Sequence, residues 1–191
     1  MTQPPADERF VEWLAATPWS VALHESLYMY TYIETAHVVG IMLFVGTIAM
    51  VDLRLLGLAF RKVPISQMNA RILPWTVVGF VLMLATGVLL FYAIPVRTWH
   101  SLWFRAKLVL MMAAAVNIWI FHRRVERDRA RWDASPRPPL TARLSAAVSL
   151  TVWIGVVVMG RMIAYNWFDC DKPQPPLVSA LASCSTYPAE E

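Results

Sequence analysis

Long apolar runs alternate with short polar stretches along the chain, and four of the runs are long enough to be membrane-spanning helices. An α-helix rises about 1.5 Å per residue, so roughly 20 apolar residues cross the hydrocarbon core of a bilayer. Backbone groups in lipid must be hydrogen-bonded within their own segment, which favours helices over open strands. The pattern predicts an all-α integral membrane four-helix bundle, forming a single transmembrane domain over residues 1–191 with spans at 32–60, 74–94, 102–121 and 144–168.

The polar segments around these runs predict how the bundle begins and ends. Arg9–Leu14 are expected to form a short amphipathic helix lying on the membrane surface. The N-terminal segment is acidic and lacks the apolar core of a secretory signal peptide. Pro74 is expected to start the second helix, because a proline at the first helical position loses no hydrogen bond. Residues 169–191 are then an external C-terminal tail.

The composition favours a membrane protein over a soluble helical bundle. Hydrophobic residues make up 58% of the chain and charged residues only 16%, and the mean hydropathy is +0.48. Soluble domains contain about a quarter charged residues. The lipid bilayer is therefore the first expected partner, and the sequence leaves open whether the protein forms homo- or hetero-oligomers.

Basic residues concentrate between the first and second runs and between the third and fourth. The positive-inside rule places such segments in the cytoplasm. We therefore predict an N-out/C-out protein of the bacterial inner membrane with both termini periplasmic. Because this topology accounts for the net charge of +4, nucleic acid is not an expected partner. The basic residues of the two segments are Arg54, Arg61, Lys62 and Arg71, and Arg123, Arg124, Arg127, Arg129, Arg131, Arg137 and Arg143.

Both cysteines of the chain lie in the predicted external tail. Cys170 and Cys184 are separated by a proline-rich stretch. In an oxidising periplasm they are expected to form one disulfide that restrains the tail, with two free thiols as the alternative. They lack the C-x-x-C spacing of a metal or redox motif.

Ionisable residues within the spans are candidates for function, because such residues are costly in lipid and face a bundle interior or a cavity. Counting back from the basic ends at about 1.5 Å per residue places one group of them in a common layer of the outer half of the membrane. On a helical wheel, His100, Lys107 and His122 fall within an arc of about 60° on the third span. The members of the layer are Glu34, His37, His100, Lys107, Arg161 and Tyr165.

Two histidines at matching depth on neighbouring helices are the arrangement that holds a haem iron between two imidazoles. His37 and His100 are therefore the predicted metal ligands of a b-type haem, and Lys107 and Arg161 are suited to neutralise its propionates. Small residues at Gly40, Gly46 and Ala113–Ala115 would give the macrocycle room. The alternative is that the histidines are interfacial residues, as expected for His24, and that the glycines only permit close helix packing.

Copper is the alternative cofactor. Thioether and imidazole ligands suit Cu(I), and several methionines lie in the spans, although methionine is more often a flexible core residue. Glu34 and His37 in the first span have the spacing found in di-iron sites, but the other three spans lack the further carboxylates that such a site needs. The sequence also contains no nucleophilic triad and no phosphate-binding loop. The methionines in question are Met42, Met50, Met111, Met112, Met159 and Met162.

Four stretches carry a resemblance to known families: "ETAHVVGIMLFVGTIAMVDLRLLG", "PWTVVGFVLMLATGVLLF", "FRAKLVLMMAAAVNIWIFH" and "GRMIAY". From about Trp19 to Phe168 the chain resembles an uncharacterised bacterial family of small four-helix inner-membrane proteins. More distantly, its histidine in the first span and Lys…His pair in the third resemble the membrane-bound protoporphyrinogen oxidases, which bind haem b. The "AKLVL…N" run resembles the membrane domain of D-type copper-resistance proteins. These likenesses imply His37, Lys107 and His122 as the matching site positions, whereas depth favours His100.

The expected function is that of a b-type haem protein or subunit, an oxidoreductase component that moves electrons between the membrane quinone pool and a periplasmic redox protein. His37 is the first axial ligand and His100 the second, with Lys107, Arg161, Tyr165 and His122 as further cofactor-binding candidates. The alternatives are a copper-handling or transport component and a cofactor-free anchor subunit of a larger complex.

Overall fold

The computed structural model describes residues 6–125, 129–135, 137–165 and 175–182. These residues form nine α-helices and no strand. The predicted disulfide between Cys170 and Cys184 lies outside them. The helices are α1 (Ala6–Ala15), α2 (Pro18–Glu25), α3 (Leu27–Leu56), α4 (Ile65–Ala93), α5 (Pro95–His100), α6 (Leu102–Ile120), α7 (Arg129–Trp132), α8 (Leu140–Met162) and α9 (Pro176–Ala182).

Four helices are long and apolar enough to cross a membrane, which confirms the predicted class of multi-pass helical membrane protein. The third candidate span extends beyond α6 through a π-helical turn, and the fourth extends beyond α8 through a 3₁₀ turn. The candidate spans are Leu27–Leu56, Ile65–Ala93, Leu102–Arg123 and Leu140–Tyr165.

The prediction that Pro74 starts the second span is wrong, because Pro74 lies inside α4. The helix begins at Ile65, where Asp133 accepts hydrogen bonds from the Ser66 backbone N–H (2.7 Å) and from the Ser66 hydroxyl. This contact from a distant segment satisfies groups of the first turn that a helix cannot satisfy itself. Proline is tolerated within membrane helices because neighbouring groups compensate for the lost backbone hydrogen bond.

The bundle is built on a close crossing of α3 and α4. A Cβ placed on Gly79 would lie 2.6 Å from the Phe44 backbone nitrogen, and one on Gly40 would lie 2.9 Å from that of Met83. Glycines at such contacts let helix backbones approach closely in a membrane. Of the two roles considered for Gly40, close helix packing and making room for a cofactor, the structure therefore supports helix packing.

The other side of α3 packs against α8, and α8 packs against α6. The Phe44 and Trp153 rings meet edge to face with their centroids 4.9 Å apart, which joins α3 to α8. The apolar core at this level consists of Phe44, Met83, Ala114, Trp153 and Val156.

One end of the bundle carries the α3–α4 turn and the segment between α6 and α8, and is called the basic end below. Arg54 is fully buried there. It donates hydrogen bonds to the backbone carbonyls of Val63 (2.7 Å) and Ser135 (3.0 Å). This arginine ties the two connecting segments together.

The opposite end, called the terminal end below, carries α1, α2, α5 and α9. The Thr17 hydroxyl lies 2.6 Å from the Tyr92 hydroxyl, and Ser20 donates a hydrogen bond to the Tyr92 carbonyl (2.7 Å). The Trp99 indole N–H donates to Asp7 (3.3 Å). These contacts hold α1 and α2 against the end of α4 and against α5. The position of α1 relative to a membrane surface stays a prediction.

Candidate functional site

His37 lies in α3 and is half-buried against α4. Its Nδ1 is 2.9 Å from the Thr86 hydroxyl oxygen. A hydroxyl has a single proton to donate, and Thr86 lies 2.6 Å from the Leu82 backbone carbonyl, which accepts it. Thr86 must therefore accept from His37, which assigns the imidazole proton to Nδ1. The Met83 backbone carbonyl also lies near the ring.

The Nε2 atom of His37 is consequently the basic nitrogen of the ring. Apart from Thr86 and Met83, no group in the described part of the chain forms a hydrogen bond with this side chain. An imidazole held through Nδ1–H, with Nε2 carrying a lone pair, is the form that binds metals in proteins.

Gly87 sets the position of the ring. A Cβ on Gly87 would lie 3.1 Å from Cε1 of His37 and 3.7 Å from its Nδ1. The imidazole therefore lies directly against the α4 backbone at a residue without a side chain. Thr86 and Gly87 together orient the ring from one helix.

Lys107 is the second ionisable residue at this site. It lies in α6, and its Nζ would be 3.7 Å from a Cβ on Gly160 of α8. Its ammonium is close enough to act electrostatically on His37. No described residue accepts a hydrogen bond from Lys107 or forms an ion pair with it. His37 and Lys107 therefore lie in the same region of the bundle, near the terminal end.

His100 occupies a different setting. It ends the separate helix α5, and Ser101 is extended (φ −69°, ψ 118°), so the helix does not continue into α6. The prediction that His100, Lys107 and His122 share one helical face is wrong for this reason. The His100 side chain is buried, with 6% of its surface exposed, and its Nδ1 lies 3.0 Å from the Ala182 carbonyl. His100 therefore contacts the C-terminal helix α9.

Arg105 reinforces this contact. Its guanidinium donates to the Leu181 carbonyl (2.6 Å) and to the Trp99 carbonyl (3.1 Å). His100 and Arg105 thus reach the two last carbonyls of α9, which have no acceptor role within their own helix. Ala182 is completely buried by this docking.

The remaining sequence candidates are exposed. Arg161 stacks its guanidinium over the Tyr165 ring at 5.4 Å, at the terminal end of α8. His122 lies in the π-helical turn at the basic end, edge-on to Phe121. His37 and His122 therefore belong to opposite ends of the bundle.

The small residues predicted to make room for a macrocycle have other surroundings. Gly46 has no atom within 4 Å of where its Cβ would be, and it is exposed. Ala114 is 3% exposed within the apolar core, whereas Ala113 and Ala115 face outwards. These positions therefore do not line the His37 site.

The sequence analysis missed Thr86 and Gly87. The sequence signal for these two residues is a Thr-Gly pair within the second span, in the half of that span nearest the terminal end. The described residues contain no cluster of three or more His, Cys, Asp or Glu side chains that could hold a metal ion. The Met42 and Met112 side chains are 62% and 66% exposed, as expected for lipid-facing residues.

Other polar residues of the spans pair with each other. Asn117 donates to the Ser145 carbonyl (3.0 Å) and accepts from the Ser145 hydroxyl (3.0 Å), which joins α6 to α8. Asp52 of α3 lies close to Ser149 of α8. These pairs are interhelical contacts of the kind that hold membrane bundles together.

Comparison with known proteins gave one finding. Residues 10–166 match the model of a family of unknown function, DUF6644. No curated protein and no solved structure matches the chain.

Proposed function

The chain belongs to this family of unknown function, DUF6644, and from the geometry of its own residues we propose that it is a b-type haem protein with His37 as axial ligand. The observation that carries the proposal is the orientation of His37. Thr86 accepts its Nδ1 proton, so Nε2 keeps the lone pair that binds iron.

The residues around His37 fit a haem held by one histidine. Lys107 supplies a cation in the same layer that is suited to a propionate, and it forms no ion pair with a described residue. His100 contributes to α9 docking, so it is not included as a second ligand. When bound, a haem supplies a one-electron couple. The chain's own contribution is to orient the imidazole through Thr86 and Gly87 and to hold a positive charge nearby.

The predicted membrane orientation of the protein indicates which partners it would exchange electrons with. The two basic connecting segments are placed in the cytoplasm of a bacterial inner membrane, with both termini in the periplasm. His37 and Lys107 lie nearer the terminal end, so this topology would put them in the periplasmic half of the bundle. The protein would thus exchange electrons between membrane quinone and a periplasmic redox protein.

The test is the visible spectrum of the full-length protein purified from membranes in detergent. The expected result is a Soret band with stoichiometric haem, lost in His37→Ala and retained in His122→Ala. The two variants remove the same side chain from opposite ends of the bundle. Elution volume and helical circular dichroism establish that both variants are folded.

Three outcomes contradict the proposal. One is a wild-type protein without haem after expression in a haem-sufficient host. A second is equal haem content in wild type and His37→Ala. A third is a colourless protein with stoichiometric copper, which would favour the copper-handling alternative.

A further inference from the structure

A cleft of about 440 Å³ opens at the terminal end, between α2 and the turn that joins α4 to α5. The Ser20 and Thr17 contacts to Tyr92 hold α2 at the distance from α4 that creates this space. Its volume is within the range of small-molecule sites, about 300–1,000 Å³. Nothing in the haem proposal uses this cleft.

The cleft is lined by both apolar and ionisable residues. Val21, Ile94 and Pro95 are among the apolar residues that line it. His24, Glu25 and Arg97 are the ionisable residues of the lining. Apolar walls with a few polar groups that fix orientation are typical of sites for small organic ligands.

The cleft lies where the second span ends. Ala93 is the last residue of α4 and of the second candidate span, and it also lines the cleft, so the cleft lies at the end of an apolar segment. A ligand that is dissolved in the membrane and carries a polar head reaches this level without leaving the lipid. Gly87, which contacts His37, is six residues earlier in α4, or about 9 Å along the helix.

We propose that this cleft binds the head ring of a membrane quinone. The flat ring would pack between Val21 and Ile94. Arg97 is a donor for a ring carbonyl, and His24 and Glu25 are acceptors for the hydroxyl groups of the reduced form. The inference names a substrate site for the proposed electron-transfer function and rests on that function for its physiological meaning.

The net charge of the residues that line the cleft favours a quinone over a phospholipid headgroup. The lining contains one acidic residue, Glu25, and one arginine, Arg97, so it carries little net charge to attract a phosphate. An uncharged ring with two carbonyls needs local donors and acceptors and gains from apolar walls. A phospholipid is the competing occupant that the experiment separates.

The experiment measures equilibrium binding of an oxidised short-tailed ubiquinone to the full-length protein in phosphatidylcholine nanodiscs. Val21→Trp places a bulky ring in the cleft, and Ala22→Trp makes the same kind of change at the next exposed position, outside the lining. Val21→Trp is expected to weaken binding at least about ten-fold, whereas Ala22→Trp stays within about two-fold. Arg97→Ala removes the donor to a ring carbonyl and is expected to weaken binding as well.

Binding of the oxidised quinone involves no electron transfer, so the result is separate from the haem proposal. The wild-type protein is expected to bind the quinone whether or not haem is found. Undetectable quinone binding, equal effects of Val21→Trp and Ala22→Trp, or complete displacement of the quinone by phosphatidylethanolamine would each overturn the inference.

Discussion

At the scale of single residues, the orientation of His37 depends on two neighbours that carry no charge. The Thr86 hydroxyl assigns the imidazole proton to Nδ1, and Gly87 lets the ring lie against the α4 backbone. Both residues are on the helix that also packs most closely against α3. The chemistry of the site is therefore set by packing as well as by the identity of the histidine.

We expect Gly87→Ala to displace the His37 ring, because the added Cβ would lie 3.1 Å from Cε1. Overpacking of this kind costs about 1–3 kcal/mol. Gly46→Ala is the matched control, since its Cβ would have no neighbour within 4 Å. The readouts are thermal stability in detergent and the position and amplitude of the Soret band. A lower stability in Gly46→Ala than in Gly87→Ala would contradict this account.

At the scale of elements, the short helix α9 is fixed by its C-terminal end. His100 and Arg105 reach its last two carbonyls, where a cationic group is also favoured by the helix dipole. This contact gives His100 a structural role at the terminal end, in place of the second axial position that its depth predicted.

Hydrogen exchange of the full-length protein in detergent tests this role. In the double variant His100→Ala/Arg105→Ala, the amides of residues 177–182 are expected to exchange at least about ten-fold faster, because docking is lost while the four spans persist. Arg71→Ala removes an exposed arginine at the basic end and is expected to leave α9 protection unchanged. Unaltered protection of α9 in the double variant would show that other contacts hold it.

At the scale of the whole molecule, the two ends of the bundle differ in structure. The basic end is closed by Arg54 and Asp133, which join its two connecting segments. The terminal end contains the His37 layer, the cleft and the docked helix α9. A fixed orientation in the membrane would therefore give the candidate site access from one compartment.

Labelling of single cysteines tests the orientation. In a Cys170→Ser/Cys184→Ser background, Glu12→Cys at the terminal end is expected to react with a membrane-impermeant maleimide in intact cells. Lys62→Cys at the basic end is expected to react only after the cells are permeabilised, because basic segments stay in the cytoplasm. The reverse labelling pattern would refute the proposed topology.

The sequence by itself determined the class of the protein and the number of spans, because length and hydropathy are sufficient to predict helices in lipid. It also singled out His37 and Lys107, since ionisable residues are rare within spans and counting along a helix gives their depth. Those predictions depend only on local sequence and on the regular rise of a helix.

Only the tertiary structure decided which neighbours these residues have. The start of α4 depends on Asp133, a residue far away in the chain, so Pro74 alone was misleading. The break at Ser101 removed His100 from the face of Lys107, and α9 then became its partner. Depth is a property of one helix, whereas contact depends on the rotation and crossing of several helices, which no single segment of sequence specifies.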